Sequence, residues 1–559
     1  MEFTKEKYIA LMDKALSAYT DEHIERYFNE VKTNGLTEHG FPRLTVCIGI
    51  LIAHGRREYL RKIFYEMMEF CCKTIPNVKA ANDFSIREII CCIIELEKHK
   101  VFDSEIIDRW KNYLTDIDPN KCYNVFAKKP TDVVYNWALF TGVSEYLRQY
   151  IGLNETEDFV DLQVETQLAH LDENMMYKDA PTNPPMVYDM VSRALFSMLM
   201  HFGYNGRHRD AVDSCLKKAG LLTLKMLSVT GEIPFGGRSN QFIHNDGLAI
   251  MIGEFEASRY KREGDLETAA KFKSAVSLAI ANAEKWYNKE PMYHIKNRFP
   301  LETRYGCEEY GYFDKYMITT ASWFYMAYLM CDDTIPCAAA DLSPVIFKTS
   351  DDFHKLFMKC GGYALEFDLK ACKHHDADGL GRVHKAGAPS AICLSLPCVS
   401  SEHPHYFINV ENSDPYSLCP CIFKDEEPVF AIDGKAKYTV TSTSWDKENA
   451  YAVIECEFDG GETVVSSFKL NSSGLEATVN GKGNIGFALP AFDFDGEKHT
   501  EITHNSNTLS IAYDGWVCKY STDGKIVDLN KTVRNRNGHY KAFYAEGKDT
   551  LRIKIEIYK

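Results

Sequence analysis

No apolar run in this 559-residue sequence is long enough to cross a bilayer. The most apolar stretches, TVCIGILIAHG around Ile48 and IREIICCIIEL around Ile89, are short or broken by charge. The N-terminal MEFTKEKYIALMDKAL has neither a continuous apolar core nor a small-residue cleavage site, so no signal peptide is expected and a soluble, cytoplasmic protein is. There is also no basic stripe or Lys/Arg block, and 64 Lys and Arg face 79 Asp and Glu for a net charge of −15. That balance opposes binding to nucleic acid or to an anionic membrane. Cysteine is present at 18 residues, but pairs at metal spacing are missing: Cys419 and Cys421 form a C-x-C with no second pair. Cys71, Cys72, Cys91 and Cys92 lie inside apolar runs and read as small buried hydrophobes of a reducing compartment. No metal or other cofactor is expected.

What is present reads as two domains, because 559 residues exceed what one hydrophobic core supports. Up to about Cys337 apolar residues recur at helical spacing in segments of helical length, enough for ten to twelve helices. After Asp265, for example, Ala269, Phe272, Val276, Ile280 and Ala283 fall on one face, and Ser85 with Glu88 reads as a capping box. Beyond DDTIPCAAADLSP strands and turns take over, ending in LRIKIEIYK, where Leu551, Ile553, Ile555 and Ile557 alternate with polar residues. The expected fold is an N-terminal (α/α)n toroid over 1–337, of the (α/α)6 type, followed by a C-terminal antiparallel β-sandwich over 338–559.

Five segments concentrate polar and aromatic residues where plain core would not. Asn136 and Trp137 interrupt an apolar helix, either as sugar contacts or as a satisfied amide and a core indole. Tyr188, Asp189 and Arg193 follow a proline-rich loop that proline alone explains. GEIPFGGRSNQFIHNDG gathers Arg238, Asn240, His244 and Asn245 behind paired glycines, donors suited to a carboxylate or a sugar hydroxyl, or to caps and turns. ETRYGCEEYGYFDKYM interleaves Arg304, Tyr305, Glu308, Glu309, Tyr310, Tyr312 and Lys315, as a sugar cleft would, since pyranose faces stack on aromatic rings. In the β-half, CKHHDADGLGRVHKAGAPSAICLS offers Arg382 and His384. Its His374, His375 and Asp376 have no diagnostic ligand spacing, and whether they hold an ion is left open.

GGRSNQFIHND, ETRYGCEEYGYFDKY and GLGRVHKAGAPSAICLS together resemble bacterial proteins related to the heparinase II/III-like and alginate-lyase-like enzymes. The likeness extends to toroid-plus-sandwich β-glucuronidases. It implies a cleft between toroid and sandwich, an Asn or His that neutralises a uronate carboxylate, a catalytic Tyr and a sandwich histidine. Asn240, His244 and Asn245 match the neutralising segment, Tyr310 or Tyr312 the tyrosine, and His384 the histidine.

In β-elimination the C5 proton becomes acidic once the adjacent carboxylate is neutralised, and a base and an acid complete the cleavage. The expected function is therefore a lyase on uronic-acid-containing oligosaccharides, acting from chain ends on short imported substrates. Hydrolysis needs two carboxyl groups roughly 5 to 10 Å apart. Asp189, Glu302, Glu308 and Glu309 keep a β-glucuronidase-like hydrolase open, as does a non-catalytic glycan-binding protein. The expected partner is an acidic oligosaccharide, and association into a homo-oligomer is left open.

Overall fold

The computed structural model describes residues 4–179, 184–400, 405–408 and 413–559. Among them, fifteen α-helices lie between Glu6 and Met330. Six of these, Gly40–Ala53, Asn82–Lys98, Trp137–Tyr150, Met186–His201, His244–Arg262 and Thr319–Met330, each pack on the next, and the last returns to the first. The result is a closed ring. An outer layer that includes Arg61–Thr74, Glu157–Leu168, Arg209–Met226 and Leu266–Tyr287 covers it.

The sequence sorts the two layers. Every residue of Gly40–Ala53 is buried, as a helix packed on all sides requires, and its residues are apolar nearly all round. The outer Ser104–Thr115 helix buries only Ile107, Trp110 and Leu114. Layer contact is close: a Cβ on Gly49 would lie 2.5 Å from the Phe64 ring. The Leu266–Tyr287 helix starts where Asp265 accepts the Thr268 amide at 2.9 Å and buries the five residues expected of it. The capping box at Ser85 is corrected. The helix begins three residues earlier, at Asn82, and Glu88 is an interior residue ion-paired with Arg43. The count exceeds the expected ten to twelve because single-turn helices such as Pro119–Cys122 and Phe313–Tyr316 lie in what reads as connection.

From Val345 the chain is antiparallel β-structure. Val345–Lys348, Lys355–Cys360, Tyr363–Asp368 and Gly379–Lys385 form one sheet in chain order. A second sheet of eleven strands is organised on two long ones, Gly474–Phe494 and Gly538–Tyr558, which pair over most of their length with a break in register between Asn480 and Asn484. In the last strand Leu551, Ile553, Ile555 and Ile557 are buried, as their alternation requires. Leu356, Met358 and Leu365 of the first sheet share a core with Ala452, Ile454 and Phe468 of the second, so the two sheets form a sandwich. No helix among the described residues is long and apolar enough to cross a membrane.

Candidate active site

All six inner helices begin on the same side of the ring, and their first turns, with the residues just before them, wall a cavity of about 470 Å3. His39 and Arg43 come from the first helix, Phe84 from the second, Asn136 and Trp137 from the third, Tyr188 from the fourth, His244 from the fifth and Thr319 and Trp323 from the sixth. Each N-terminus presents backbone N–H groups and the positive end of a helix dipole. Arg43, Lys79, Arg238 and Lys315 add four cations. The one acidic side chain among the described wall residues is Glu38, and Lys315 Nζ holds it at 2.6 Å. Three of the four cations already face a carboxylate, Arg43 that of Glu88, Arg238 that of Asp179 and Lys315 that of Glu38.

A hydrogen-bonded chain fixes one wall. Asp179 accepts the Asn136 side-chain amide at 2.5 Å and pairs with Arg238. The Arg238 guanidinium lies over the Tyr188 ring, 4.6 Å from its centroid. The Tyr188 hydroxyl bonds Ser239 Oγ at 2.9 Å, and Ser239 Oγ bonds the Tyr310 hydroxyl at 2.6 Å. Ser239 sits at φ +60°, a left-handed conformation, and donates its amide to buried Glu308 at 2.6 Å. Glu308 in turn pairs with Arg536 at 2.7 Å.

The opposite wall carries the histidines. Arg43 holds Glu88 through Nε, 3.0 Å from both carboxylate oxygens, and donates Nη1–H to His39 Nδ1 at 3.0 Å, which leaves the His39 proton on Nε2. Burial, then the Arg43 charge, pushes His39 well below the ordinary imidazole range. Burial and the charges of Arg43, Lys296 and His294 bring His244 down to about 3. His244 packs against both Phe242 and Tyr316, with ring centroids at 5.6 and 5.7 Å, while those two rings stack on each other at 5.0 Å, and its Nδ1 is buried without a partner. Tyr310 and Tyr316 are pushed up by burial and by neighbouring Glu308 and Tyr188. At neutral pH the site thus offers neutral imidazoles beside neutral phenols, and His39, with Nδ1 taken by Arg43, presents Nε2–H as a donor.

Seven of the sequence-predicted residues share this cavity: Asn136, Trp137, Tyr188, Arg238, His244, Tyr310 and Lys315. The others stand elsewhere. Asn240 and Asn245 turn their amides to the carbonyls of Pro234 and Ser239. Asp189 and Arg193 close a buried ion pair at 2.7 Å. Tyr305 stacks on Phe299 in a separate core, with ring centroids 3.7 Å apart. Arg304 lies over the exposed Tyr312 and donates to the carbonyls of Glu308 and Glu309, and Glu309 is itself exposed. Glu308 supports the wall from behind. Arg382 bonds Glu366 at 2.9 Å, and His384 Nδ1 bonds the hydroxyls of Ser228 and Thr230, so neither reaches the cavity. His374 and His375 both pack on His405, at 4.3 and 5.2 Å, His375 also contacts Cys372 Sγ, and Asp376 turns to the Gly237 amide at 2.8 Å. His54, Glu95 and His99 do converge, at the other ends of the first two inner helices, where Lys98 and Tyr325 also bond the Glu95 carboxylate.

Sequence reasoning missed His39, Arg43, Lys79, Asp179 and Ser239. The pair EHGFPR was the available signal, since His39 and Arg43 stand four apart on a helix that is otherwise apolar.

No family model matches the sequence, and no curated protein matches it. Among solved structures the chain is similar to a chondroitin AC lyase of Streptomyces coelicolor A3 in complex with chondroitin sulphate, at 9% identity over 98% of this chain and 83% of that one, with TM-score 0.44. It is also similar to a heparinase III gene product, at 12% identity over 85% of this chain and 78% of that one, with TM-score 0.37. The heparan sulfate lyase HepC from Pedobacter heparinus aligns at 12% identity over 90% of this chain and 76% of that one, with TM-score 0.33. All three overlaps are loose, and the functional reading rests on the side chains of the cavity.

Proposed function

We propose that this protein is an enzyme that cleaves uronic-acid-containing oligosaccharides by β-elimination in the cavity at the helix N-termini. The observation that supports the reading is the chemistry of that wall: six helix N-termini, four cations of which three are paired with Glu88, Asp179 and Glu38, and neutral His and Tyr side chains in one aromatic cluster. The cations and dipoles take the uronate carboxylate and make the C5 proton acidic. His244 accepts that proton on its ring, and the bound carboxylate raises its affinity for the proton. Tyr310, held by Ser239, donates its phenolic proton to the departing glycosidic oxygen, and the proton that His244 took from C5 returns to Tyr310 through solvent once product has left. Tyr316 stacks against His244 and holds the ring in place.

Hydrolysis finds less support. Asp189, Glu302, Glu308 and Glu309 do not line the cavity, and Glu38 alone cannot supply the two carboxyl groups that reaction uses. The test is incubation with a panel of uronate oligosaccharides, following unsaturated-uronate absorbance and new reducing ends separately. Both signals rising together is the expected result. Reducing ends without absorbance would replace elimination by hydrolysis, and neither signal would leave a glycan-binding protein without turnover.

A further inference from the structure

The motif GLGRVHKAGAPSAICLS does not serve the first cavity, yet it is not idle. Its Gly387–Ala391 loop forms one wall of a second cavity, of about 290 Å3, between the helical ring and the sandwich. That volume stands at the lower end of ordinary small-molecule sites, about 300 Å3. The far wall is the end of the Leu266–Tyr287 helix, and the remaining sides are the strand ends around Phe492, Tyr513 and Trp516.

The interior combines aromatic faces with polar atoms that the protein itself leaves unsatisfied. Trp286 stands on the helical side and Trp516 on the sheet side. Trp286 Nε1 is buried with no hydrogen-bond acceptor. Asn282, 1% exposed, donates Nδ2–H to Asp246 at 3.1 Å, but its Oδ1 is buried without a donor. Glu232, 5% exposed, has an Oε2 whose nearest cation, Arg382 Nη2, stays at 3.5 Å, outside good hydrogen-bond range. Burial opposes ionisation of this carboxyl, but the charges of His384, Arg382 and Lys296 hold it down to about 2, so it is an anion that accepts only. Buried polar atoms left without partners cost stability, and a ligand that supplies a donor for the two oxygens and an acceptor for the indole repays it.

Charge separates this site from the first. Its wall carries three carboxylates, Glu232, Asp495 and Asp514, against two cations, Lys285 and Arg298, and Arg298 is already drawn to Asp495 at 3.4 Å. Asp514 is paired with Lys498 and Glu232 faces Arg382, so the wall has little net charge and no cluster of cations to hold a uronate. A neutral sugar fits: its apolar ring face stacks on an indole, and its hydroxyls donate to carboxylates and amide oxygen and accept from Nε1–H. We propose that this second cavity is a binding site for a neutral pyranose, gripped between Trp286 and Trp516 and hydrogen-bonded at its floor by Glu232 and Asn282. The site is separate from the elimination chemistry and stands or falls without it.

The experiment is saturation-transfer NMR on the full chain with methyl β-D-glucopyranoside and methyl N-acetyl-β-D-glucosaminide as probes, and with glucuronate for contrast. Transfer to at least one neutral pyranoside is expected, weakened about tenfold in affinity by Trp516→Ala. Trp286→Phe keeps the ring but removes the N–H, and decides the matter if Trp516→Ala does not fold. Tyr310→Phe, in the first cavity, leaves the neutral signal unchanged. Absence of transfer to both neutral probes, transfer untouched by both tryptophan variants, or transfer lost in Tyr310→Phe alone would overturn the proposal.

Discussion

Ser239 Oγ and the Tyr310 hydroxyl share a hydrogen bond of 2.6 Å, although their chain positions are 71 residues apart. Ser239 Oγ also meets the Tyr188 hydroxyl at 2.9 Å and so holds the Tyr310 hydroxyl in place for the proton donation proposed for it. Ser239→Ala is expected to lower kcat on a uronate oligosaccharide by about 10- to 100-fold with little change in KM. Steady-state kinetics checks this, and an equal loss in KM would make Ser239 a binding residue instead.

His244 is held near pH 3 by burial and by the cations around it, so it is neutral throughout the physiological range. The acid limb of kcat/KM is expected well below the ordinary imidazole value of about 6.5. A limb close to 6.5 would assign the acid-side loss to another group. His244→Gln should abolish turnover while retaining substrate binding, measured by calorimetry.

Glu88 is surrounded by Arg43 and Arg87 at 3.0 and 2.5 Å and is 3% exposed. Glu88→Gln leaves two buried guanidinium groups without their counter-charge and is expected to cost about 3 kcal/mol. Urea unfolding measures it. A change within about 0.5 kcal/mol would mean that water or other acceptors already satisfy the arginines.

Asp376 accepts the Gly237 amide beneath the loop that carries Arg238 and Ser239. Burial first, against the pull of Lys355, raises its carboxyl to about 7. Between the usual value of about 4 and that point the folded state binds more protons than the unfolded one, so this group makes stability fall as pH rises. Asp376→Asn cannot ionise. Its stability relative to the parent chain should climb from about pH 4 to about pH 7 and then level off, which unfolding curves across that range will follow.

Much of the fold was readable because it depends on local pattern. The alternation of Leu551, Ile553, Ile555 and Ile557 fixes a half-buried strand, and the spacing from Ala269 to Ala283 fixes a helix face. Glu88 misled because a local motif, Ser85 followed by a glutamate, was outweighed by a guanidinium 45 residues away. The site was readable in part for a related reason. Arg43 finds its partners in Glu88 and in Thr319, 276 residues away, and apart from His39 four residues before it nothing nearby in the chain announces them. Tyr310 and Tyr312 looked equivalent in sequence. Only Tyr310 turns inward, because Gly311 passes close to Phe242, where a Cβ would come within 2.9 Å of the ring, and Tyr312 is left half-exposed. His384 carried the right chemistry for an active site, but the register of its strand points it at Ser228 and Thr230.

The cavity wall draws on all six inner helices, from Thr37 to Trp323. No fragment shorter than the ring contains the site, so a chain still being synthesised has nowhere to bind its substrate until the sixth helix has docked on the first. A ligand held there stabilises the closure of the whole ring by mass action, not any one helical pair. Substrate should accordingly protect distant inner helices from hydrogen exchange together, as one cooperative unit.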